Sequence, residues 1–276
     1  MRPAVVGHVE WIEFGRVDHV PAPSEIVHVS ESWEAPGGGG AVAAVQLCRL
    51  AGAGTLYTAL GDDELGHRSK RELERLGLRV EAAFRPEPQR RGFVHVDRAG
   101  ERTITVIGER LGPSADDPLP WHELDEVDAV YFTAGDAGAV REARRARTLV
   151  ATARGLETLI EAGVQLDALV ASSRDPGERF ELGDLEPAPR HVVRTAGAAG
   201  GEWEIPATGE RGRWEASSPP GPVSDFYGCG DSFAAGLTYG LGAGMSIGEA
   251  TALGARCGAA CATGRGPYER QPRSAS

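Results

Sequence analysis

Lysine is nearly absent from this chain: Lys70 is the only one among 29 basic residues, and the rest are arginine. A Gly-x-x-x-x-Gly-Lys-Ser/Thr loop therefore cannot occur, which excludes a Walker-type nucleotide site. Cysteine is also scarce. Cys48, Cys229, Cys257 and Cys261 include no Cys-x-x-Cys pair, so neither a disulfide framework nor a cysteine zinc site is indicated, and the four read as reduced thiols. Long apolar runs are missing: the longest uncharged stretch, Ser232 to Gly248, is 17 residues with five glycines, too short and too weakly apolar to span a bilayer. Positive charge is in deficit, with 29 basic against 40 acidic residues for a net charge of −11. No basic stripe is available to collect nucleic-acid or membrane phosphates. Met1 to Phe14 carries one arginine and then two glutamates, unlike a signal peptide. The expectation is a cytoplasmic protein with no nucleic-acid or membrane partner.

What is present is an ordinary globular composition, 41% apolar and 25% charged over 276 residues, enough for one domain spanning 1–276. Short β-branched runs at Ala4–Val9, Thr55–Leu60, Ala129–Thr133, Arg147–Ala151, Ala168–Ser172 and Val192–Thr195 read as strands. Helix-like stretches alternate with them at Gly40–Ala51, Glu64–Leu76, Ala137–Arg145, Gly155–Ala162, Asp231–Leu241 and Ile247–Thr263. That alternation predicts an α/β fold with a mostly parallel sheet covered by helices on both faces. Two stretches break the rhythm. Glu25–Ser30 is short and extended, and Leu78–Ile107 holds three strand-like runs with no helix between them. These predict a small second sheet from about 8–30 and 78–108, either a lid over an active site or a dimer-forming flap.

The strongest local motif is Asp225-Phe-Tyr-Gly-Cys-Gly-Asp-Ser-Phe-Ala-Ala-Gly236. Gly228, Cys229 and Gly230 precede a helix, so their amides can face an anion at its N-terminus. Asp231 in the first turn is either an ordinary capping residue or a carboxylate placed to take a proton from an attacking hydroxyl. Gly37 to Gly40 lead into an Ala-rich helix and allow a ligand close approach to the backbone, although a glycine run is also what a loop tip uses.

Taken together, Gly37–Gly66 and Asp225–Gly236 resemble the N- and C-terminal signatures of the ribokinase-like (phosphofructokinase B type) carbohydrate kinase family. The resemblance extends over about residues 3 to 268. It implies a three-layer α/β sandwich with a β lid, and transfer of the ATP γ-phosphoryl group to a sugar or nucleoside hydroxyl with magnesium. Matched residue by residue, Asp231 corresponds to the catalytic base and Gly228, Cys229 and Gly230 to the anion hole. Thr195, Gly197 and Gly200 resemble the nucleotide-contacting turn, and Asp225 a position that helps hold a monovalent cation such as potassium. Gly37 and Gly38 match the pair that contacts substrate hydroxyls, and Asp63 and Gly66 match the Gly-x-Asp-x-x-Gly turn.

The chain departs from that pattern in identifiable places. The usual Thr-Thr after Asp225 is Phe226-Tyr227, and the substrate-binding Asn falls on Val42. On the first strand the expected acid falls on Ile12, with Glu10 and Glu13 beside it. The magnesium-organising Asn-x-x-Glu reads Ser172-Ser-Arg-Asp175, with Glu178 one turn on as a substitute acid. The reading is therefore an ATP- and magnesium-dependent carbohydrate kinase with Asp231 as base and Glu10, Gly37, Gly38 and position 42 toward the acceptor. A nucleoside kinase is the alternative if Trp11 or Phe14 faces a base, and a non-catalytic ligand-binding relative is the other. A homodimer through the lid is compatible with either. The basic run Arg141, Arg144, Arg145 and Arg147 reads as a solvated helix face or as a contact for an anionic substrate, Cys257 and Cys261 as packing residues, and Trp203 and Trp214 as hairpin or core aromatics.

Overall fold

The computed structural model describes residues 1–273. Its main sheet begins with β1 (Pro3–Val6), which lies between β4 (Thr55–Gly61) and β8 (Ala129–Phe132), parallel to both. Beyond β8 come β9 (Thr148–Thr152), β10 (Ala168–Ser172) and β11 (His191–Thr195), all parallel, then the antiparallel hairpin β12 (Gly201–Ile205) and β13 (Glu210–Trp214). On the other side β5 (Arg79–Arg85) pairs parallel with β4.

Alternation along these strands produces the three layers. Val5, Tyr131, Val150, Val170 and Val193 point into one core, beneath α1 (Gly39–Ala51), α2 (Glu64–Arg75), α5 (Cys229–Gly242) and α6 (Ile247–Cys261). Ala4, Val130, Phe132, Leu149, Leu169 and Val192 point into the other, beneath α3 (Ala137–Ala143) and α4 (Leu156–Ala162). Strands buried on both faces must be apolar throughout, which is why they appear in the sequence as continuous runs. Close helix packing relies on small residues: a Cβ on Gly236 of α5 would lie 2.8 Å from Gly254 Cα of α6.

A separate four-stranded sheet stands over one edge, in the order β3 (Glu31–Gly37), β2 (Glu10–Arg16), β6 (Arg91–Val96), β7 (Arg102–Ile107). Two expectations are corrected here. Residues 79–85 belong to the main sheet, because α2 precedes them and closes a β4–α2–β5 crossover. Residues 25–30 form no strand, and β2 pairs instead with Glu31–Gly37. The inner face of the small sheet places Ile12, Phe14, Val94 and Val96 against Val42 and Tyr227. The β12–β13 hairpin carries Trp203 opposite Gly212 and Trp214 opposite Gly201, each indole lying over the glycine across the ladder. Among the described residues, no helix is long and apolar enough to cross a membrane.

Candidate active site

The chain runs from β1 outward to β4 and β5, then returns to β8 on the other side of β1. Such a reversal leaves a crevice at the carboxyl ends of the two strands, where open α/β sheets bind ligands. His8 and Thr133 sit at this crevice, at the ends of β1 and β8, and both are buried. His8 Nδ1 and Thr133 Oγ1 have no hydrogen-bond partner there.

One wall of the crevice is the start of α5. Gly228 has φ 79°, a left-handed conformation that glycine adopts without strain, and a Cβ there would lie 2.9 Å from Val42 Cγ1 and from Pro267 Cβ. At Gly230 the situation is reversed: it is exposed, and a Cβ would meet nothing within 4 Å. The start of α5 thus borders open space at Gly230, where an anion could approach the helix N-terminus. Asp231 lies in the first turn, partly exposed, with its carboxylate over the N-terminus of α1: a Cβ on Gly39 would approach Oδ1 to 2.8 Å. Loss of hydration raises the Asp231 pKa against the opposing pull of Arg102 and Arg154.

Beside it, His8 Nε2 accepts a hydrogen bond from Gly39 N at 3.4 Å and lies 3.8 Å from Glu10 Oε1. Burial, then Arg110, Arg90 and Arg154, push the His8 pKa down to about 3, so the ring is neutral. Glu10 is 7% exposed rather than a solvent-facing strand residue, and Arg90 Nε stands 2.9 Å from its Oε1. Burial raises the Glu10 pKa while Arg90 and Arg110 oppose the rise.

Other residues singled out in the sequence have more structural settings. Gly38 N donates to Tyr227 Oη at 2.9 Å, and Gly37 sits in the ladder opposite Glu10. Val42 is fully buried in the apolar cluster with Ile12 and Phe14. Asp225, 0% exposed, accepts from Tyr227 N at 2.9 Å and Gly266 N at 2.7 Å, pinning residue 266 against the loop before α5. Thr195 ends β11, and Gly197 (φ 62°) and Gly200 (φ 80°) shape the turn that follows at the same sheet edge as Asp231. Asp63 caps α2 through Gly66 N at 2.8 Å and also accepts from Gln89 N at 2.9 Å.

Asp175 and Glu178 do not fit a divalent-cation site. Arg154 is bound to Asp175 and lies 3.4 Å from Glu178 Oε1, Ser172 N donates to Glu178 Oε2 at 2.8 Å, and Gly177 N donates to Asp175 Oδ1 at 2.9 Å. Both carboxylates are already engaged, sharing the one charge of Arg154 and accepting backbone hydrogen bonds. Among the described residues, no group of three His, Cys, Asp or Glu side chains could hold a metal ion.

Neither aromatic proposed for a base faces the crevice. Trp11 is 3% exposed beneath the Arg68 guanidinium, which sits 4.3 Å from the ring centroid, and Phe14 is stacked on Trp33 at 5.0 Å. The basic run of α3 is also remote, because α3 ends at the opposite edge of the sheet, before β9 begins. There Arg144 pairs with Asp167 at 2.6 Å, Arg145 with Asp125 at 2.6 Å and Arg147 with Asp128 at 2.9 Å. The sequence reading missed Arg90, Arg110 and Arg154, which come from two loops and a short 3-10 helix (Ala153–Gly155) and share no local pattern.

Comparison with known proteins agrees with this architecture. The profile of the pfkB family carbohydrate kinases matches residues 3–172 and 183–273, and the chain belongs to that family. An ATP-dependent ribose-1-phosphate kinase of Halopiger xanaduensis is 30% identical over 193 residues, 67% of this chain and 57% of the relative's own length. The ribokinase of Thermotoga maritima superposes with a TM-score of 0.77 at 20% identity, covering 98% of this chain and 96% of that one. The ribokinase of Cryptococcus neoformans var. grubii, solved with ADP, gives 0.76 at 22% identity, covering 99% and 96%.

Proposed function

We propose that the protein is an ATP-dependent kinase that transfers the γ-phosphoryl group to a hydroxyl of a small sugar or sugar phosphate, with Asp231 as the general base. The observation that carries this reading is the position of Asp231, a partly dehydrated carboxylate one residue after the exposed Gly230 at the start of α5. A hydroxyl resting on Asp231 would lose its proton as it attacks, while the amides of residues 228–230 hold charge on the transferring group. A carboxylate whose pKa is raised by lost hydration is a stronger base than an ordinary aspartate. The turn 195–200 would receive the nucleotide phosphates at the same sheet edge. The small sheet acts as a lid: Arg102 Nη1 donates to Phe226 O at 3.2 Å and Gly100 O accepts from Phe226 N at 3.0 Å, so its β6–β7 turn rests on the loop leading to the anion hole. A closed lid keeps water from competing as acceptor.

The buried placement of Trp11 and Phe14 withdraws the feature that favoured a nucleoside acceptor. The Halopiger relative supports including phosphorylated pentoses among the acceptors tested. The experiment is ATP consumption, with ATP supplied as its magnesium complex, across sugars, sugar phosphates and nucleosides, for the wild type and Asp231→Asn. Loss of about 10²–10⁴ in kcat with unchanged thermal stability is the expected result. Full turnover by a folded Asp231→Asn protein would remove the base assignment. ATP binding without turnover on any acceptor would instead identify a non-catalytic relative.

A further inference from the structure

We infer that Arg16 and Arg102 of the small sheet take the place of the monovalent cation that the family resemblance assigns to Asp225, so that the loop leading into the anion hole is braced by the lid itself and needs no potassium. The inference extends the kinase reading and rests on it for its kinetic readout.

Asp225 is fully buried in the loop before α5, and a buried carboxylate needs both hydrogen bonds and a counter-charge. The hydrogen bonds come from the backbone: Tyr227 N donates to Oδ1 at 2.9 Å and Gly266 N to Oδ2 at 2.7 Å. A potassium ion would be held by this carboxylate together with the carbonyl oxygens around it, which would replace its hydration shell. Those carbonyls are already engaged. Arg16 Nη1 donates to Ser224 O at 3.3 Å, Arg102 Nη1 to Phe226 O at 3.2 Å, and the Cys261 thiol to Tyr227 O at 3.5 Å. The residues around Asp225 therefore do not fit a bound potassium ion; they fit a counter-charge delivered by side chains.

The register of the small sheet is what brings the two arginines together. Arg16 on β2 lies opposite Val96 on β6, and Val96 lies opposite Arg102 on β7. Residues in line across a sheet share a face, so both arginines flank Val96 on the buried inner face, with backbones about 10 Å apart. From there they reach the carbonyls on either side of Asp225, one residue before it and one after. Arg16 Nη2 also donates to Ser224 Oγ at 3.3 Å, while Glu31, 3.4 Å from Nε, steadies the guanidinium group. Arg265 pairs with the same Glu31 at 2.8 Å. Three guanidinium groups thus surround two carboxylates, Asp225 and Glu31, and a further cation placed among them would meet net repulsion. The same balance acts on Asp225 itself: burial raises its pKa, and the two amides, then Arg16 and Arg102, oppose the rise. A cation binds from solution whatever the lid does, whereas these arginines ride on the lid. Bracing of the loop before Gly228 is therefore tied to the lid being down.

The test compares the chlorides of potassium, sodium and N-methylglucamine at equal ionic strength, read by turnover, by thermal melting and by thallium-205 NMR with thallium(I) as the probe for a potassium site. The wild type is expected to turn over and melt alike in all three salts and to show no saturable thallium binding. Saturable binding, a rise in Tm of about 3 °C or more in potassium, or activation by potassium of about tenfold overturns the inference. Arg102 is exposed on the edge strand, so Arg102→Gln tests the role without disturbing the core. It is expected to lower kcat about tenfold with a smaller change in the KM for ATP, and Arg102→Lys to recover part of the loss. In Arg16→Gln/Arg102→Gln, Asp225 keeps its amides and loses its counter-charge, so potassium is expected to raise both Tm and kcat relative to N-methylglucamine. Wild-type kcat in Arg102→Gln, or a double variant impaired equally in all three salts, reduces the arginines to structural contacts and overturns their role. The two readings fail separately: absence of turnover on every acceptor sinks the kinase reading and leaves melting and thallium binding to decide this one, whereas potassium-activated turnover by the wild type sinks this one alone.

Discussion

Gln89 joins the lid to the main sheet, and removing its side chain is a direct test of how the site is held. The residue is 2% exposed. Its Oε1 accepts from Gly61 N at 3.0 Å and its Nε2 donates to Val9 O at 2.8 Å, linking the ends of β4 and β1 to the segment that enters β6. Gln89→Ala leaves a backbone donor and a backbone acceptor buried without partners. At about 1–3 kcal/mol for each orphaned group, the expected destabilisation is roughly 2–6 kcal/mol. For a chain of this length, at about 2 °C per kcal/mol, that corresponds to a fall in Tm of roughly 4–12 °C. Because Arg90 is the next residue, the acceptor KM should rise while the ATP KM stays near its wild-type value. Asp63→Ala, which removes the acceptor for Gln89 N, should couple to Gln89→Ala in a double-mutant cycle, since both act on the same residue. Calorimetric or fluorescence melting of the four proteins measures this. A Tm change below about 1 °C in Gln89→Ala would refute the reasoning, because it would mean that water satisfies both groups.

Other perturbations follow from individual residues. Gly230→Ala has room for its methyl group and adds a helix-favouring residue, so stability should hold or rise by up to about 1 kcal/mol while kcat falls, because the methyl occupies the space the anion needs; unchanged turnover would place the anion elsewhere. Gly228→Ala, at φ 79° and against Val42 and Pro267, should instead destabilise by about 1–3 kcal/mol, read by denaturant melting. His8 is neutral when folded, with a pKa near 3, but protonates near 6.5 when unfolded. Below pH 6.5 the unfolded chain takes up the extra proton, so the stability that His8 provides above that pH is lost at about 1.4 kcal/mol per pH unit until the folded pKa is passed. Relative to His8→Gln, the wild type should lose stability with that slope between pH 6 and 4, and parallel curves would contradict it. Asp231 has the opposite sign: its folded pKa is raised, so its contribution falls as pH rises from the unfolded to the folded pKa, and Asp231→Asn should be as stable as the wild type or more so at neutral pH.

The parts of this protein that were legible in sequence are those encoded by neighbouring residues. Continuous apolar runs mark strands buried on both faces, and the position needing a left-handed φ carries its own signal in Gly228. The motif around Asp231 was readable for that reason. β5 was misassigned because Leu78–Ile107 contains three strands in series, although the helix before the first should have marked it as the second strand of a crossover. The arginines around Glu10 were invisible because Arg90, Arg110 and Arg154 meet only after the lid folds over the edge of the sheet. Of the two readings of the basic run Arg141–Arg147, the contact for an anionic substrate falls, because Arg144, Arg145 and Arg147 pair with acids at the far edge of the sheet. Asp175 stood in the register of the metal-organising acid with Glu178 one turn on as its substitute, and only the structure reveals Arg154 bound to both.

These features bear on how an acceptor could be oriented. A site that recognises a sugar by its hydroxyls needs buried donors and acceptors facing each one. Here Val42 and Ile12 provide none, and Gly38 N–H is already bonded to Tyr227. Polar groups at the crevice include Glu10, neutral His8, Thr133 and Arg90, so charge would carry much of an acceptor's orientation. A charge-assisted contact contributes about 1.5–3 kcal/mol and a neutral hydrogen bond about half as much, so a phosphorylated acceptor should be more sensitive to losing its phosphate than to losing a hydroxyl. With matched analogues, removing one non-reacting hydroxyl should lower kcat/KM by about tenfold or less, and removing the phosphate by about 10- to 100-fold or more. The reverse order would mean that the apolar cluster under the lid opens when the acceptor binds and exposes backbone groups that are closed in this structure.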